Sequence, residues 1–279
     1  MCQSHHAILR FFNAGIELPT MPETALRLLD TFGRDDVSVQ ELVTLISHDP
    51  ALAARLLRLA NSARFSPTER VTRLHDAATQ IGLGALRGLA MSACLVQAFP
   101  VLRGFDRLRF WRQNLATAGY ARWLAQHLQL DADMAEVAGM VLRSGELLML
   151  MVDPPLTALV ESLTQAPDSV FALQRLHFGC THAELSAELA VRWHFPTAIV
   201  DALYTAAEPL AAQPFSAEGA VLRAASIMAD AADDALAPLD ALQRVQPLLV
   251  LGLGLDIQAL APQVPDHGLL TAPATELLH

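Results

Sequence analysis

The chain has 279 residues, of which 53% are hydrophobic, and a formal net charge of −10 at neutral pH. This length suits one large domain or two small ones, with enough apolar side chains for a buried core. The three cysteines form no CxxC pair, which argues against a disulfide framework or a cysteine-based zinc site and fits a reducing cytoplasm. We expect a cytoplasmic protein without a signal peptide or membrane span, in which the longest apolar run, 137–152, forms a buried core helix.

All 19 basic residues are arginine, and their distribution along the chain is uneven. Residues 51–112 hold ten arginines against three acidic residues, a balance of +7. Residues 113–279 hold six arginines against nineteen acidic residues, a balance of −13. Such an electropositive band can bind an acidic protein, a nucleotide or a nucleic acid. The alternative, which we favour, is that the arginine stems cover helix surfaces and pair with the acidic half.

Helix signals recur along the chain, while the alternation typical of strands is almost absent. We predict an all-α fold of about a dozen helices, most of them roughly ten to twenty residues long. Three capping boxes, each a hydroxyl residue followed three positions later by Glu, are predicted to begin helices: Thr20 to Glu23, Ser38 to Glu41 and Thr181 to Glu184. Four glycines are predicted to separate the helical runs: Gly33, Gly82, Gly104 and Gly179.

The segment His48-Asp49-Pro50 contains a His-Asp pair, the metal-binding signature of a large class of phosphohydrolases. The proline favours a structural role, because Asp49 can cap free backbone N–H groups while Pro50 occupies the first helical position. We predict a helix over 51–61 that buries its leucines at positions 52, 56 and 59.

A second pair, His75-Asp76, begins a run with the same apolar spacing. We expect His48 and His75 to pack or hydrogen-bond, and Asn61-Ser62 to end the first helix.

A domain is predicted over 16–210, with an internal boundary near residues 100–104. Its first part, 16–99, would be a cluster of short helices. Its second part, 104–210, would open with a long helix over 106–129 whose pairs Phe110-Trp111 and Tyr120-Trp123 face the core. We predict that these parts share one interface and do not fold apart. Residues 211–262 would form a C-terminal helical extension with a helix over 218–230, and residues 263–279 a flexible tail.

Several segments between residues 18 and 209 carry a resemblance to a known family. The most specific is LISHDPALAARLLRLANS at 45–62, and further matching segments are 18–22, 71–87, 110–112, 177–185, 192–196 and 199–200. Over about two-thirds of its length the chain resembles the HDOD family, a bacterial signalling module related to the HD phosphohydrolases. The resemblance implies a multi-helix, HD-like array with an N-terminal helical subdomain and a C-terminal degenerate HD-like subdomain.

The same resemblance implies where HD hydrolases keep their metal ligands. Gln113 stands where a ligand His is expected, Leu142-Arg143 replaces the His-Asp pair, and Ala206-Ala207 replaces a later His-His pair. His182 alone survives at a ligand-like position. A divalent metal needs several converging ligands and an open position for water, and a fixed guanidinium repels it. We therefore expect no metal centre, no cofactor and no hydrolysis.

His182 is the centre of the best remaining cluster of candidate ligands, which also includes His177, Glu184, Glu188 and His194. If Thr181 caps the following helix, Glu184 is already engaged by the cap. His182 and Glu188 are six positions apart and lie on different helix faces. A structural role is therefore favoured over metal binding.

Nucleophilic catalysis finds no support in the sequence. There is no Gly-x-Ser-x-Gly motif and no phosphate-binding loop. Cys94 lies in an apolar run and is expected to be a buried hydrophobic residue.

We therefore expect a non-catalytic regulatory protein that signals through contacts with partner proteins, in trans or as a homodimer. It would be a stand-alone module of a response-regulator pathway, without a membrane contact. A candidate partner surface consists of Arg103, Arg107, Arg109 and Arg112. The alternatives are an HD-type phosphohydrolase with an atypical metal site, and binding of a nucleotide or nucleic acid by the arginine band. The second alternative is weakened by an aromatic content of 6% and by the acidic net charge.

Overall fold

A computed structural model describes residues 2–32, 34, 36–61, 70–102, 104–166 and 168–278. Nineteen α-helices and one 3-10 helix, and no strand, occur within these ranges, which confirms the all-α prediction. The helices exceed the expected dozen in part because Arg143 divides the run 137–152, which was expected to be continuous, and because the C-terminal segment forms several short helices.

Six helices precede the predicted boundary: α1 (Cys2–Phe12), α2 (Glu23–Leu29), α3 (Val39–Ser47), α4 (Pro50–Ala60), α5 (Leu74–Ile81) and α6 (Leu83–Ala98). Eight follow it: α7 (Arg107–His127), α8 (Ala132–Leu142), α9 (Ser144–Val152), α10 (Pro154–Leu163), α11 (Ser169–Phe178), α12 (His182–Arg192), α13 (Thr197–Ala206) and α14 (Ala217–Asp233). Five short helices end the chain: α15 (Pro238–Val245), α16 (Pro247–Gly252), α17 (Ile257–Leu260), α18 (His267–Thr271) and α19 (Ala274–Leu278), with the 3-10 helix Ala261–Gln263 after α17.

The three predicted capping boxes have three different outcomes. The box at Thr181 is complete, since the hydroxyl accepts from the Glu184 N–H and the Glu184 carboxylate accepts from the Thr181 N–H. The box at Ser38 is half formed, because its hydroxyl caps α3 while the Glu41 carboxylate accepts from Arg34. The box at Thr20 is wrong: α2 begins after Pro22, and no side chain caps it.

The long helix α7 lies at the centre of the second half. It packs against α8 and α14, and also against the short C-terminal helices α18 and α19. The predicted core-facing pairs Phe110-Trp111 and Tyr120-Trp123 are buried, as expected. Because α14 forms one wall of this core, the segment predicted as a C-terminal extension supplies a principal helix of the fold.

The apolar run 137–152 was expected to form one buried helix, and this expectation is wrong. The helix ends at Leu142, and a new helix, α9, begins at Ser144. The single residue between them, Arg143, is buried. The close approach of α9 to α12 depends on Gly145, because a Cβ there would lie 2.1 Å from the backbone oxygen of His182.

The two halves of the molecule are joined by a buried ion pair between α6 and α8. Arg87 donates to the Thr31 carbonyl oxygen at 2.6 Å and also contacts the Asp133 carboxylate. Arg122 donates to the other oxygen of Asp133 at 2.6 Å and to Glu136 at 2.7 Å. This part of the arginine band therefore pairs with the acidic half, as the favoured interpretation expected.

The ends of the chain cross over between the halves. The ring of Phe11 in α1 lies 5.8 Å from that of Phe178 in α11, so the first helix packs on the second half. In the opposite direction, α19 packs on α4 and α6 as well as on α7, and buries Ala274 and Leu277. The segment that was expected to be a flexible tail contains the short helices α18 and α19, and α19 packs where the two halves of the molecule meet.

Membrane-spanning potential is limited to one helix pair. Within the described ranges, no single helix is long and apolar enough to cross a bilayer; α5 and α6 together reach the required length and composition, but they are bent by 117°.

Candidate functional site

The degenerate HD positions surround one region between α7, α8, α12 and α13. Gln113 lies half-buried on α7, Leu142 ends α8, and Arg143 follows it. His182 is the first residue of α12. Ala206 ends α13, and Ala207 is its C-cap. Gln113 and Arg143 line the same cavity, while Arg143 and His182 both approach the carboxylate of Glu146.

Arg143 is 4% exposed, and polar groups from three helices surround its guanidinium. It donates to Glu146 Oε1 at 3.2 Å and to Ser226 Oγ at 3.0 Å, and it makes a long contact of 3.5 Å with Thr117 Oγ1. It also pairs closely with the carboxylate of Asp230 on α14. The guanidinium thus has partners on every side, as a buried charge requires.

The carboxylates of Glu146 and Asp230 share the guanidinium of Arg143, and the pKa values of both carboxylates are raised. Burial raises the pKa of Glu146 to about 7, with Arg143 lowering it and the nearby Asp230 and Glu161 raising it further. Burial likewise raises the pKa of Asp230, against the lowering effect of Arg143. Because one positive charge cannot balance two buried negative charges, this cluster holds a proton up to near-neutral pH.

A second buried arginine lies beside the former His-His position. Arg223 donates to the Ala207 carbonyl oxygen at 3.1 Å and forms an ion pair with Asp168. Its guanidinium carbon lies 3.4 Å from the centroid of the Phe171 ring. The two alanines therefore contribute backbone acceptors at a place where the resemblance implies ligand imidazoles.

His182 is completely buried, and its bonds fix its protonation. Gln174 Oε1 lies 2.8 Å from both the backbone N and the Nδ1 of His182. The amide oxygen can only accept, so Nδ1 carries the proton; Nε2 has no hydrogen-bond partner. Burial lowers the pKa of His182 well below its usual value, and the nearby Arg143 and Arg223 lower it further. The imidazole is therefore neutral.

The other members of the predicted histidine cluster do not join His182. Glu184 completes the cap and binds Arg175 at 2.8 Å, and Glu188 pairs with Arg192 at 3.1 Å. His194 is exposed. Throughout the ranges that the structure describes, no three His, Cys, Asp or Glu side chains converge as metal ligands would.

The donor set at the degenerate centre does not fit a divalent metal. Its carboxylates, Glu146 and Asp230, are paired with Arg143. Its one imidazole lies near two guanidinium groups, Arg143 and Arg223, and a metal ion placed there would be repelled by both. That the protein binds no metal in the cell stays a prediction.

The residues that complete this centre were not predicted as a group. Glu146 follows Arg143 by three positions, a spacing at which helical side chains meet, and could have been found. Ser226, Asp230 and Gln174 lie more than thirty positions away from Arg143, and nothing in the local sequence links them to it.

A cavity of about 590 Å³ opens beside Arg143. Its polar lining includes the side chains of Gln113, Arg143, Glu146, Gln174 and Asp230 and the charged groups of Asp106, Arg109, Glu161 and Asp234. Its apolar lining includes Phe105, Phe110, Met149, Val160, Val170 and Phe178. A concave site of this size with apolar walls and a few polar groups is typical of small-molecule sites.

The four arginines predicted as a partner surface differ in their surroundings. Arg103 lies outside the described residues. Arg107 is half-buried and donates to the Val96 carbonyl oxygen at 3.2 Å, so it has a structural contact. Arg109 and Arg112 are exposed on the first turns of α7, and these two remain available to a partner.

The remaining residues singled out in the sequence lie at a helix end, in the core or at the surface. Asn61 ends α4 and bonds both the Leu57 and Val71 carbonyl oxygens at 2.7 Å, as expected of a helix end; Ser62 lies outside the described residues. Cys94 is buried, and burial raises its pKa to about 12. His48 and His75 were expected to pack or hydrogen-bond, but both are exposed.

A helical array of this kind, with an HD-type centre at the junction of α8 and α9, is that of the HD-like helical proteins. The sequence profile of the HDOD domain matches residues 18–209. The chain belongs to the HDOD domain family, as the resemblance implied.

Similar proteins come from several bacteria. An uncharacterised protein of Treponema pallidum (strain Nichols) is 30% identical over 192 residues, which is 67% of this chain and 37% of that protein; the chain thus spans little more than a third of this curated relative. A candidate phosphohydrolase of Shewanella amazonensis SB2B has a crystal structure that is 28% identical, with a TM-score of 0.76 over 98% of each chain. A candidate signal transduction protein of Marinobacter aquaeolei VT8 is 24% identical, with a TM-score of 0.81 over 100% of this chain and 65% of that one, and shares the fold.

Proposed function

We propose that this chain is a non-catalytic regulatory module of bacterial signal transduction that acts in the cytoplasm through contacts with a partner protein. The observation that carries this proposal is the environment of Arg143. Its guanidinium takes the place of the metal-binding aspartate and pairs with both carboxylates of the centre. An active HD-type centre would need those carboxylates and several imidazoles free to bind metal and water.

The competing function is metal-dependent phosphoester hydrolysis, and the Shewanella relative is named as a candidate phosphohydrolase. The test is metal analysis of the purified protein, together with turnover of p-nitrophenyl phosphate and bis-p-nitrophenyl phosphate in the presence of Mn²⁺. We expect no bound metal in stoichiometric amount and no turnover. Turnover that stays proportional to this protein through successive purification steps, and that is lost with a chelator, would overturn the proposal.

Partner recognition is expected to use the exposed arginines of α7. Arg109 and Arg112 are three positions apart on one helix and give a local positive charge to a chain whose net charge is −10. Such a patch favours an acidic protein surface and mainly accelerates encounter. The alternative partner is a second copy of the chain, with which it would form a homodimer.

The test of this surface is a pull-down with the intact protein and with a double variant, Arg109→Glu and Arg112→Glu. Arg244→Glu on α15 is the control, because Arg244 is exposed. This substitution changes the net charge by the same amount as each substitution in the double variant. We expect a partner that is recovered with the wild type and the control but lost with the double variant. Equal recovery by all three would remove these arginines from the mechanism. Recovery of nucleic acid, with an affinity that falls steeply with salt, would instead favour the nucleic-acid alternative.

A further inference from the structure

The cavity beside Arg143 carries an excess of negative charge. Five carboxylates and two guanidinium groups belong to its lining. Asp230 and Glu146 share Arg143, while the carboxylates of Glu161 and Asp234 form no ion pair within the described part of the chain. Both carboxylates are exposed in the cavity lining, so they can bind a ligand without first losing an ion pair.

The guanidinium of Arg143 cannot easily serve an anionic ligand. Each of its nitrogens already has a partner among Thr117, Glu146, Ser226 and Asp230. An anion would have to displace a buried carboxylate from it and leave that carboxylate unpaired, which is strongly unfavourable. The inner cluster therefore offers no free cationic group to an anion, and the unpaired carboxylates lie in the outer part of the cavity.

An independent observation comes from Gln174, whose side chain lines the cavity although the residue is only 3% exposed. Its amide oxygen is fixed by the two bonds from His182. The orientation of the amide is therefore determined, and its nitrogen has no hydrogen-bond partner among the described residues. The Nε2 group of Gln174 therefore faces the open cavity, where water or a bound molecule can accept its N–H groups.

The walls of the cavity are apolar and partly aromatic. The rings of Phe105 and Phe110 lie 5.4 Å apart, and Phe178 and Val160 add further apolar surface. The volume of about 590 Å³ exceeds what a metal ion or a few waters would fill. It lies within the range of sites for small organic ligands.

We propose that this cavity binds a small organic cation: an amine on an apolar body that also carries a hydrogen-bond acceptor. The ammonium group meets the carboxylates of Glu161, Asp234 and the Arg143 cluster. The apolar body lies between the phenylalanines, and the acceptor receives the free N–H of Gln174. This proposal goes beyond partner recognition and stands without it, because ligand binding is measured on the isolated protein.

The test uses three probes and the intact protein, with binding measured by isothermal titration calorimetry and by the shift in melting temperature. Tyramine has the cation, the ring and the acceptor oxygen; 3-(4-hydroxyphenyl)propionate has the same body with a negative charge; phenethylamine lacks the acceptor. We expect saturable binding of tyramine, several-fold weaker binding of phenethylamine and no binding of the propionate. Equal or tighter binding of the propionate, or no binding of tyramine at millimolar concentration, would overturn the proposal.

The residues proposed to bind the ammonium group are tested by Glu161→Gln and Asp234→Asn, two exposed positions that form no ion pair among the described residues. Each is expected to weaken tyramine binding by about threefold to tenfold, as neutralising a partly exposed charge does. Asp201→Asn on α13 is the control, since Asp201 is exposed and lies outside the cavity lining. Unchanged affinity in both cavity variants would contradict the proposed site. Displacement of tyramine by stoichiometric Mn²⁺ would reassign the cavity to a metal and also overturn the proposal.

Discussion

The junction between α3 and α4 and the junction between α8 and α9 each join two helices through very few residues, yet they are held in opposite ways. At the first, Asp49 Oδ1 accepts from the N–H groups of Ala51 and Leu52, both at 3.0 Å, at the surface of the molecule. At the second, Arg143 is buried and bonds side chains from α7, α9 and α14. The surface junction is held by a local side-chain cap, whereas the buried one also depends on side chains from α7 and α14, which are far away in the sequence.

This difference separates the two places where an HD-type pair could stand. The His48-Asp49 pair is a helix cap, and His48 itself is exposed. The Leu142-Arg143 pair occupies the centre of the fold, where a fixed positive charge organises two carboxylates. A pair with the form of a catalytic signature therefore begins a helix at the surface, whereas the pair that the resemblance aligns with that signature holds two buried carboxylates through its arginine.

The largest effect is expected from Arg143→Met, which removes the charge while keeping most of the apolar volume. Glu146 and Asp230 would be left buried without their partner, so we expect a loss of about 3–5 kcal/mol in the free energy of unfolding. Urea denaturation followed by circular dichroism measures it. Arg34→Met is the control, because Arg34 pairs with Asp36 and Glu41 at the surface, where ion pairs contribute little, and the loss should be much smaller than at Arg143. Equal losses in both variants would show that Arg143 is not the organising charge.

The second effect concerns the close packing that the buried junction requires. Gly145→Ala would place a methyl group 2.1 Å from the His182 carbonyl oxygen and 2.8 Å from the Leu185 Cβ. Since the obstacle is backbone, α12 must move, and we expect a loss of about 3 kcal/mol in the free energy of unfolding. Gly84→Ala in α6 is the matched control, because its Cβ would make an ordinary contact of 3.6 Å with Arg122 and should leave stability nearly unchanged. Comparable melting temperatures for the two variants would contradict the close approach.

A pH-dependent effect should separate the buried junction from the surface one. The folded-state pKa of Glu146 is raised from 4.5 to about 7. Below pH 4.5 both the folded and the unfolded states are protonated at this group. As the pH rises to 7 only the unfolded state releases the proton, so stability falls. Glu146→Gln keeps the neutral shape at every pH, and its stability relative to the wild type should therefore increase by about 3 kcal/mol between pH 4.5 and 8. Denaturant unfolding across this range measures the difference, and a difference that is constant with pH would contradict the shared-proton cluster.

What the sequence predicts and what it leaves out follow the same division. The cap at Asp49, the box at Thr181 and the long helix α7 were predicted because each depends on residues within a few positions of one another. The break at Arg143 was missed because a charged residue inside an apolar run can be tolerated only through Ser226 and Asp230, more than eighty positions away. The packing of α19 was missed for the same reason, since its sequence has little periodicity and its burial depends on a groove formed by α4, α6 and α7.

The smallest effect is expected at the surface junction, where only the cap is lost. Asp49→Ala removes the acceptor for two N–H groups at the start of α4, and we expect a loss of about 1 kcal/mol in the free energy of unfolding. Asp76→Ala is the control, because Asp76 belongs to the second His-Asp pair and is exposed on α5 without capping it; it should change stability by less than about 0.5 kcal/mol. The cap is local, so the cost of Asp49→Ala should add to that of Arg143→Met in the double variant. Equal costs at Asp49 and Asp76, or a cost at Asp49 as large as that at Arg143, would show that the His48-Asp49 pair does more than begin a helix.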